Sequence, residues 1–355
     1  MALRLRRLTP AIVSTALCAM VLLAPWPVGA QTSSPGSPRA ASSDPSRAAQ
    51  TSVTPWGHPD LQGTWDYRTI TPMERPARFA GKEFLTNEEA ASLERENAEN
   101  DVDSAPRAGD PGTYNKFWMD FGTKVTANRR SSLIIDPPDG KIPALAPEAQ
   151  KRYDQLAAGR KGVETDMPRP GAWLEDVSLS VRCIVGFNSG PPMYPAAYNN
   201  NVQLVQTPSH VLIYNEMGPS YRIVPLDGRP HQPQSLRPWL GDSIGRWDGN
   251  TLVVDTTNFK RETAFGRYAG AYERFGGSGP NIHLIERFTR LDTRTLIYEA
   301  RLEDPTTWVK PWAYQLTMRA SSEPVYEYAC HEANYSLPAI LEGARRRDDE
   351  LAKQR

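Results

Sequence analysis

The alternation of apolar and polar residues is clearest in residues 201–225, where it predicts three consecutive strands. In "NVQLVQT" Val202 and Leu204 alternate with polar residues, and "HVLIYNE" and "YRIVPL" follow after short turns that contain Pro208 and Gly218. Period-two segments bounded by turn residues are typical of β-strands that bury one face. Three such strands in succession predict an antiparallel meander.

Two further segments repeat a hairpin pattern. "RWDGNTLVVDT" places Asp248, Gly249 and Asn250 between two strand-like runs, and "RLDTRTLIYEA" has a polar turn at residues 292–294 in the same position. Aspartate followed by glycine between alternating apolar residues is the strongest short-range hairpin signal. With a further strand over residues 312–319, these hairpins predict one continuous antiparallel sheet.

Helix signals are few. Thr86 and Glu89 form a capping box that predicts a helix to about residue 97, and Pro147 occupies the first position of "PEAQKRYDQLAAG". Ser336 opens a last predicted helix through Arg346. The chain lacks both the β–α alternation of doubly wound folds and a glycine-rich phosphate loop, so we expect no nucleotide cofactor.

Many sequential antiparallel strands leave exposed edges unless the sheet closes. "LQGTWDY" (Leu61–Tyr67) resembles the Gly-x-Trp signature on the first strand of lipocalin-like barrels. We therefore predict a mainly β fold, in which an antiparallel meander closes into a lipocalin-like (calycin-like) β-barrel with a few peripheral helices. Barrels of about eight or more strands can hold a small ligand in their mouth.

Longer motifs such as "PLDGRPH", "GRWDGNTLVVDTTNF" and "YEYACHEANYS" occur between Pro55 and about Arg346. In this the chain resembles a large, mostly uncharacterised family of secreted bacterial proteins. The resemblance implies the boundaries of the folded region and no particular chemistry.

The first residues predict export. Arg4, Arg6 and Arg7 precede an apolar run over residues 11–24 and a small-residue end at 28–30, which is typical of a cleaved signal peptide over residues 1–30. A membrane anchor is the alternative, but the run is shorter than the ~20 residues of a span. We expect a periplasmic or secreted protein without a stable membrane anchor after cleavage.

Composition divides the remaining chain. Residues 31–54 contain almost no apolar side chains and predict a disordered linker. We expect a single β-barrel-like domain over residues 55–347, with helical insertions at about 86–160, and a charged tail over 348–355. Cleavage removes three arginines and leaves 38 basic against 41 acidic side chains. Without clustered positive charge, nucleic-acid binding is not expected.

Cysteine usage predicts a disulfide. After cleavage only Cys183 and Cys330 remain, and an even pair in an oxidising compartment is typical of a bridge. Two buried free thiols are the alternative. The histidines never recur at the close spacing of a zinc motif, so we predict no metal.

The sharpest catalytic candidates are His331 and Glu332 in "YEYACHEANYS". Histidine titrates near neutral pH, and a neighbouring carboxylate can fix its tautomer. The alternative is that this segment only satisfies backbone groups at a helix entry. His283 in "IHLIERF" and His231 in "PLDGRPH" are further catalytic candidates, with ordinary core or surface histidines as the alternative.

Candidate binding residues are basic or aromatic. Arg222 and Arg229 present planar donor forks that suit a carboxylate or phenolate. Tyr198, Tyr335 and Trp239 suit stacking on an aromatic ligand. The alternatives are a turn in which Arg229 pairs with a neighbouring aspartate, and aromatic rings that only fill a core.

These features predict a periplasmic enzyme without a cofactor, a lyase or isomerase. It would use general acid–base catalysis on a small aromatic or phenolic molecule such as a lignin-derived compound. The alternative is a non-catalytic periplasmic carrier for a small hydrophobic ligand. A structural role in an envelope assembly is a third class.

Overall fold

The sheet dominates the computed structural model, which describes residues 52–100, 119–159, 173–177, 179–218, 220–262, 279–332 and 334–354. Its strands are β1 (Gly63–Asp66), β2 (Ile134–Asp136), β3 (Asn201–Gln206), β4 (His210–Asn215), β5 (Ser220–Pro225), β6 (Asp242–Asp248), β7 (Thr251–Thr257), β8 (His283–Arg290), β9 (Thr295–Glu303) and β10 (Trp312–Ser321). The α-helices are α1 (Asn87–Asn100), α2 (Pro147–Gly159) and α3 (Ser336–Lys353).

The strands form a nearly closed barrel. Their order is β5-β4-β3-β1-β10-β9-β8-β7-β6, with β2 pairing β10 beside β1. Neighbours are antiparallel throughout, so the two ends of this nine-strand path, β5 and β6, run in the same direction. These two strands meet through side chains, since a Cβ on Gly245 would lie 2.6 Å from Leu226 Cδ2. The predicted mainly β barrel with few helices is confirmed.

One hydrophobic core fills the barrel. The apolar side chains that alternate inward along most of the strands are buried and belong to a single cluster. Its largest members are Trp65, Tyr67, Phe288, Tyr298, Trp308, Trp312 and Tyr314. Burying one large apolar side chain contributes on the order of 1.5–3 kcal/mol. The hydroxyls of Tyr298 and Tyr314 contact the backbone of Met193, which places the 186–200 loop at one end of the barrel.

The predicted hairpins are present. Gly249 forms the turn between β6 and β7 with φ of 57°, a conformation that glycine adopts without strain. The meander β3-β4-β5 and the hairpin β8-β9 also follow the predicted order. Their registers decide which polar side chains point outward, and therefore which of them form the site described below.

The helices begin where the sequence predicts. Thr86 N donates to Glu89 Oε2 at 2.8 Å and Glu89 N donates to Thr86 Oγ1 at 3.2 Å, so the capping box is formed. Helix α3 continues beyond the predicted Arg346 to Lys353, and most of the predicted charged tail is therefore helical. Among the described residues, no helix is both long and apolar enough to span a bilayer.

The N-terminal boundary lies slightly earlier than predicted. Val53 forms a bridge with Pro59 and Thr54 N donates to His58 O, so residues 52–54 belong to the fold and not to the linker. The predicted signal peptide over residues 1–30 and the rest of the linker lie outside the described residues.

The predicted disulfide is confirmed. Cys183 and Cys330 are bonded, with their Cα atoms 5.7 Å apart. The bond joins the segment before β3 to the segment after β10. It therefore fixes the chain that precedes α3 to the barrel.

Candidate functional site

Two of the histidines predicted to be catalytic meet at one carboxylate on the outer rim of the barrel. His231 lies in the connection between β5 and β6, Asp255 near the end of β7, and His283 at the start of β8. Nε2 of His231 lies 3.2 Å from Asp255 Oδ1, and Nε2 of His283 lies 2.9 Å from the same oxygen. Three separate segments thus bring their side chains to one point.

Strand alternation explains this convergence. Val254 and Thr256 point into the barrel, so Asp255 between them points out. Asp255 is paired with Ile285 in the β7–β8 ladder, which puts His283 at the diagonal position on the same face. We name the group formed by His231, Asp242, Asp255, His283 and Glu303 the rim cluster.

A second carboxylate holds His231 from its other side. Nδ1 of His231 lies 2.9 Å from Oδ2 of the buried Asp242, and the same oxygen accepts from Gln232 N at 2.9 Å. The other oxygen of Asp242, Oδ1, accepts from Arg229 Nη2 at 3.3 Å. Both ring nitrogens of His231 therefore face carboxylates. The two contacts can both be hydrogen bonds only if the imidazole carries two protons or one carboxyl carries a proton. The His231 ring therefore bridges Asp242 and Asp255.

The charges of the rim cluster reinforce one another. Burial on its own would raise the pKa of the Asp255 carboxyl, but the hydrogen bonds and charges of His283 and His231 outweigh it, and the pKa lies below its ordinary value. The hydrogen bond to Asp255 raises the pKa of His283 against the opposing effect of partial burial, and Glu303 adds to the rise. An ionised Asp255 beside a protonated His283 is the favoured state.

The second ring nitrogen of His283 makes a looser contact than the first. Nδ1 of His283 lies 3.6 Å from Glu303 Oε2, which is longer than a hydrogen bond, and the His283 side chain is 38% exposed. Arg301 holds Glu303 at 2.8 Å and also contacts Asp136 at 3.1 Å. His283 can therefore exchange a proton at Nδ1 while Asp255 fixes its Nε2.

Arg222, a predicted binding residue, points into the barrel and is occupied. Its Nη1 and Nη2 donate to the two carboxylate oxygens of Glu286 at 2.6 and 2.9 Å. Oη of Tyr298 donates to Glu286 Oε1 at 2.8 Å. Burial, followed by the charge of Glu286, raises the pKa of Tyr298 well above its ordinary value, so this hydroxyl remains a donor. We name Arg222 and Glu286 the interior pair.

The C-terminal candidates are separate from the rim cluster. His331 and Glu332 are exposed, directly after the disulfide, and Tyr335 is also exposed. Across the residues that the structure describes, no hydrogen bond or ion pair joins His331 or Glu332 to His231 or His283. His331 and Glu332 are adjacent in sequence, which favours them as candidates. In the described structure no further titratable side chain joins them as Asp255 joins His231 and His283.

The remaining predicted residues lie in loops. Tyr198 packs edge-on against Phe187 with ring centroids 5.3 Å apart, in the loop at one end of the barrel. Trp239 follows His231 in the β5–β6 connection, and Lys260 Nζ lies 4.0 Å from the centre of its ring. Arg229 contacts Asp242 and thus borders the rim cluster.

Asp242 and Asp255 were missed as candidates from the sequence. Each lies in or beside a strand motif, "GDSIGRWDG" or "LVVDTTNF", where the apolar residues define the signal. The alternation of β7 does indicate that Asp255 points outward, but only the pairing of β7 with β8 shows that His283 lies next to it. Ladder register was the missing information.

No group of three or more His, Cys, Asp or Glu side chains in the described part of the chain is arranged to hold a metal ion. Comparisons with protein family models, curated proteins and solved structures found no match. The resemblance to secreted bacterial proteins therefore stays a prediction.

Proposed function

We propose that this chain is an exported acid–base enzyme, a lyase or isomerase, in which His283 transfers the proton and Asp255 and His231 position it. The observation that carries the proposal is the convergence of two histidine Nε2 atoms on one Asp255 oxygen at the accessible rim. Such a chain of titratable groups with opposite pKa shifts is typical of proton-transfer sites.

The chemistry follows from Nδ1 of His283, which lies 3.6 Å from Glu303, beyond hydrogen-bond distance. In its protonated form His283 donates the Nδ1 proton to a departing or developing oxygen anion of the substrate, and the neutral ring then accepts a proton from carbon or solvent. Asp255 stays ionised and stabilises the imidazolium throughout. Glu303 lies 3.6 Å from Nδ1 and is placed to accept a proton from His283.

A small aromatic or phenolic substrate remains our preferred class. Trp239 supports it, because this ring belongs to the same connection as His231 and lies beside the cation of Lys260. An aromatic face together with a cation suits a phenolate. The carrier alternative has less support, because the described inward positions of the barrel are filled by buried side chains.

Export is supported by the disulfide. A bridge between Cys183 and Cys330 persists in oxidising compartments, which include the periplasm and the extracellular space. The proposed signal peptide over residues 1–30 is consistent with that environment.

The test is turnover in D₂O followed by proton NMR, using a panel of phenolic dimers with a benzylic hydroxyl as probes. Lyase or isomerase chemistry changes the spectrum or exchanges carbon-bound protons for deuterium. H283Q and D255N should each lower the rate by about 10²–10⁴-fold. H210Q, at an exposed histidine on β4 whose ring contacts Ser209, is the matched control and should retain the wild-type rate.

If the wild-type protein neither converts nor exchanges any probe but shows saturable binding to one, the carrier function replaces the enzyme. Equal rates in wild type and H283Q would move the active site away from the rim cluster.

A further inference from the structure

A second candidate site shares no lining residue with the rim cluster. It is an open cleft of about 530 Å³ between the segments 75–83 and 138–141. Pro76, Ala77, Ala80 and Pro138 supply apolar lining. A cleft of this size matches the volume of small-molecule sites in proteins.

The cleft contains a buried cation without a counter-charge. Arg75 is 3% exposed, its Nε donates to Ser131 Oγ at 3.0 Å, and its Nη1 donates to Pro138 O at 2.9 Å. Among the described residues, no carboxylate lies within ion-pair distance of this guanidinium, and its buried Nη2 has no hydrogen-bond partner. A buried charge without a partner is costly, so an arginine that lines a cleft in this state indicates an anion.

The other charges of the cleft limit the anion to a small net charge. Lys141 adds a second cation, whereas Glu83 and Asp139 add two carboxylates. Glu83 is already paired with Arg130 at 2.8 Å, and Asp139 Oδ1 accepts from Lys141 N at 3.0 Å. A singly charged ligand balances this set better than a doubly charged phosphate does.

Gly140 allows the turn after β2 to lie directly against the Arg75 side chain. Its φ is 70°, and a Cβ at this position would lie 2.6 Å from Ser132 Oγ and 3.0 Å from Arg75 Nε. Any side chain here would be strained and would displace Arg75. The turn that carries Lys141 therefore passes Arg75 at close range without placing a side chain over it.

From these four observations we infer that the cleft binds a small organic carboxylate, with its charge at Arg75 and Lys141 and its apolar body against the proline and alanine wall. The inference does not depend on the proton transfer proposed for the rim cluster. The proposed binding site is formed by residues 75–83 and the turn after β2.

The experiment titrates the full-length mature protein with benzoate by calorimetry, with benzamide as the neutral isostere and inorganic phosphate as the anion without an apolar body. We expect saturable benzoate binding with a Kd on the order of 1 mM, as for a ligand of this size. Benzamide and phosphate should each bind at least tenfold more weakly.

Three variants locate the site. A80W fills the cleft from an exposed position, K141Q removes the second cation, and R75K keeps the charge but loses the planar fork. A80W and R75K should weaken benzoate binding at least tenfold and K141Q about threefold, whereas H283Q should leave it unchanged. Because Arg75 is buried and its variant can misfold, A80W is decisive on its own.

Benzoate that fails to saturate, benzamide that binds equally well, phosphate that binds more tightly, or A80W that binds like wild type would each overturn the inference. Loss of benzoate binding in H283Q would instead assign the carboxylate to the rim cluster. Failure of this site leaves the NMR test of the proposed enzyme unaffected.

Discussion

The interior pair and the rim cluster use the same chemistry at different depths. Arg222 and Glu286 are 5% and 0% exposed, and a guanidinium fork and a tyrosine hydroxyl satisfy the carboxylate. Asp255 and His283 are 30% and 38% exposed, and Nδ1 of His283 makes a loose 3.6 Å contact with Glu303. Burial makes the first pair a fixed structural element, because neither charge can survive there alone. Access to solvent lets the second pair exchange protons, which is the basis of the proposed catalysis.

The largest effect should come from breaking the interior pair. E286Q leaves the Arg222 guanidinium buried without a counter-charge, and we expect the free energy of unfolding to fall by about 3–5 kcal/mol. Guanidinium unfolding of the oxidised protein measures this change.

A double variant provides the control for that prediction. R222M/E286L replaces both charges with apolar side chains of similar size and should recover most of the lost stability, because buried ion pairs contribute little net free energy. A cost below about 1 kcal/mol for E286Q would show that the interior is wetter than its exposure indicates.

A smaller and pH-dependent effect is expected at the rim. The pKa of Asp255 is lowered in the folded protein. Its contribution to folding stability is therefore present above the unfolded-state pKa near 3.8 and is lost as pH falls through the folded-state pKa. The pKa of His283 is raised in the folded protein. Its contribution to folding stability is therefore complete below the unfolded-state pKa near 6.5 and is lost as pH rises through the folded-state pKa. The stability difference between wild type and D255N should therefore be largest between about pH 4 and 6.5.

The size of that difference should be no more than about 1 kcal/mol, because both groups are partly exposed and solvent screens them. Unfolding curves of the two proteins from pH 3 to 9 measure it. A difference that stays constant over this range would mean that Asp255 acts through its hydrogen bonds and not through its charge.

The smallest effect is expected at the C-terminal candidates. H331Q changes an exposed side chain. The free energy of unfolding should therefore stay within about 0.5 kcal/mol of wild type, and the activity within about twofold. H283Q in the same assays is the matched comparison. A large loss of activity in H331Q alone would return the catalytic assignment to the segment after the disulfide.

Much of the fold could be predicted because its signals are local. The turn at Gly249, the capping box at Thr86 and the alternation in β3 to β5 each lie within a few residues, and each is present in the structure. The pairing of Cys183 with Cys330 was predictable because only one combination remained after the proposed cleavage.

The site could be predicted only in part because it depends on strand register. His231 and His283 were named from the sequence, but Asp255 joins them through the β7–β8 ladder. Glu286, three residues after His283, points inward and meets Arg222 from β5, 64 positions away along the chain. Local patterns show which face a residue occupies and not which distant strand faces it.

The meeting of β5 and β6 has a mechanical consequence. Along the described strands every other neighbour in the path shares a backbone ladder, whereas these two are held by packing at Gly245 and by the Arg222 side chain, which contacts Ser243 on β6 and reaches Glu286 on β8. Parting the wall at this line breaks side-chain contacts but no ladder hydrogen bonds. The barrel wall is thus weakest between β5 and β6. The ion pair between Arg222 and Glu286 helps to hold it closed there.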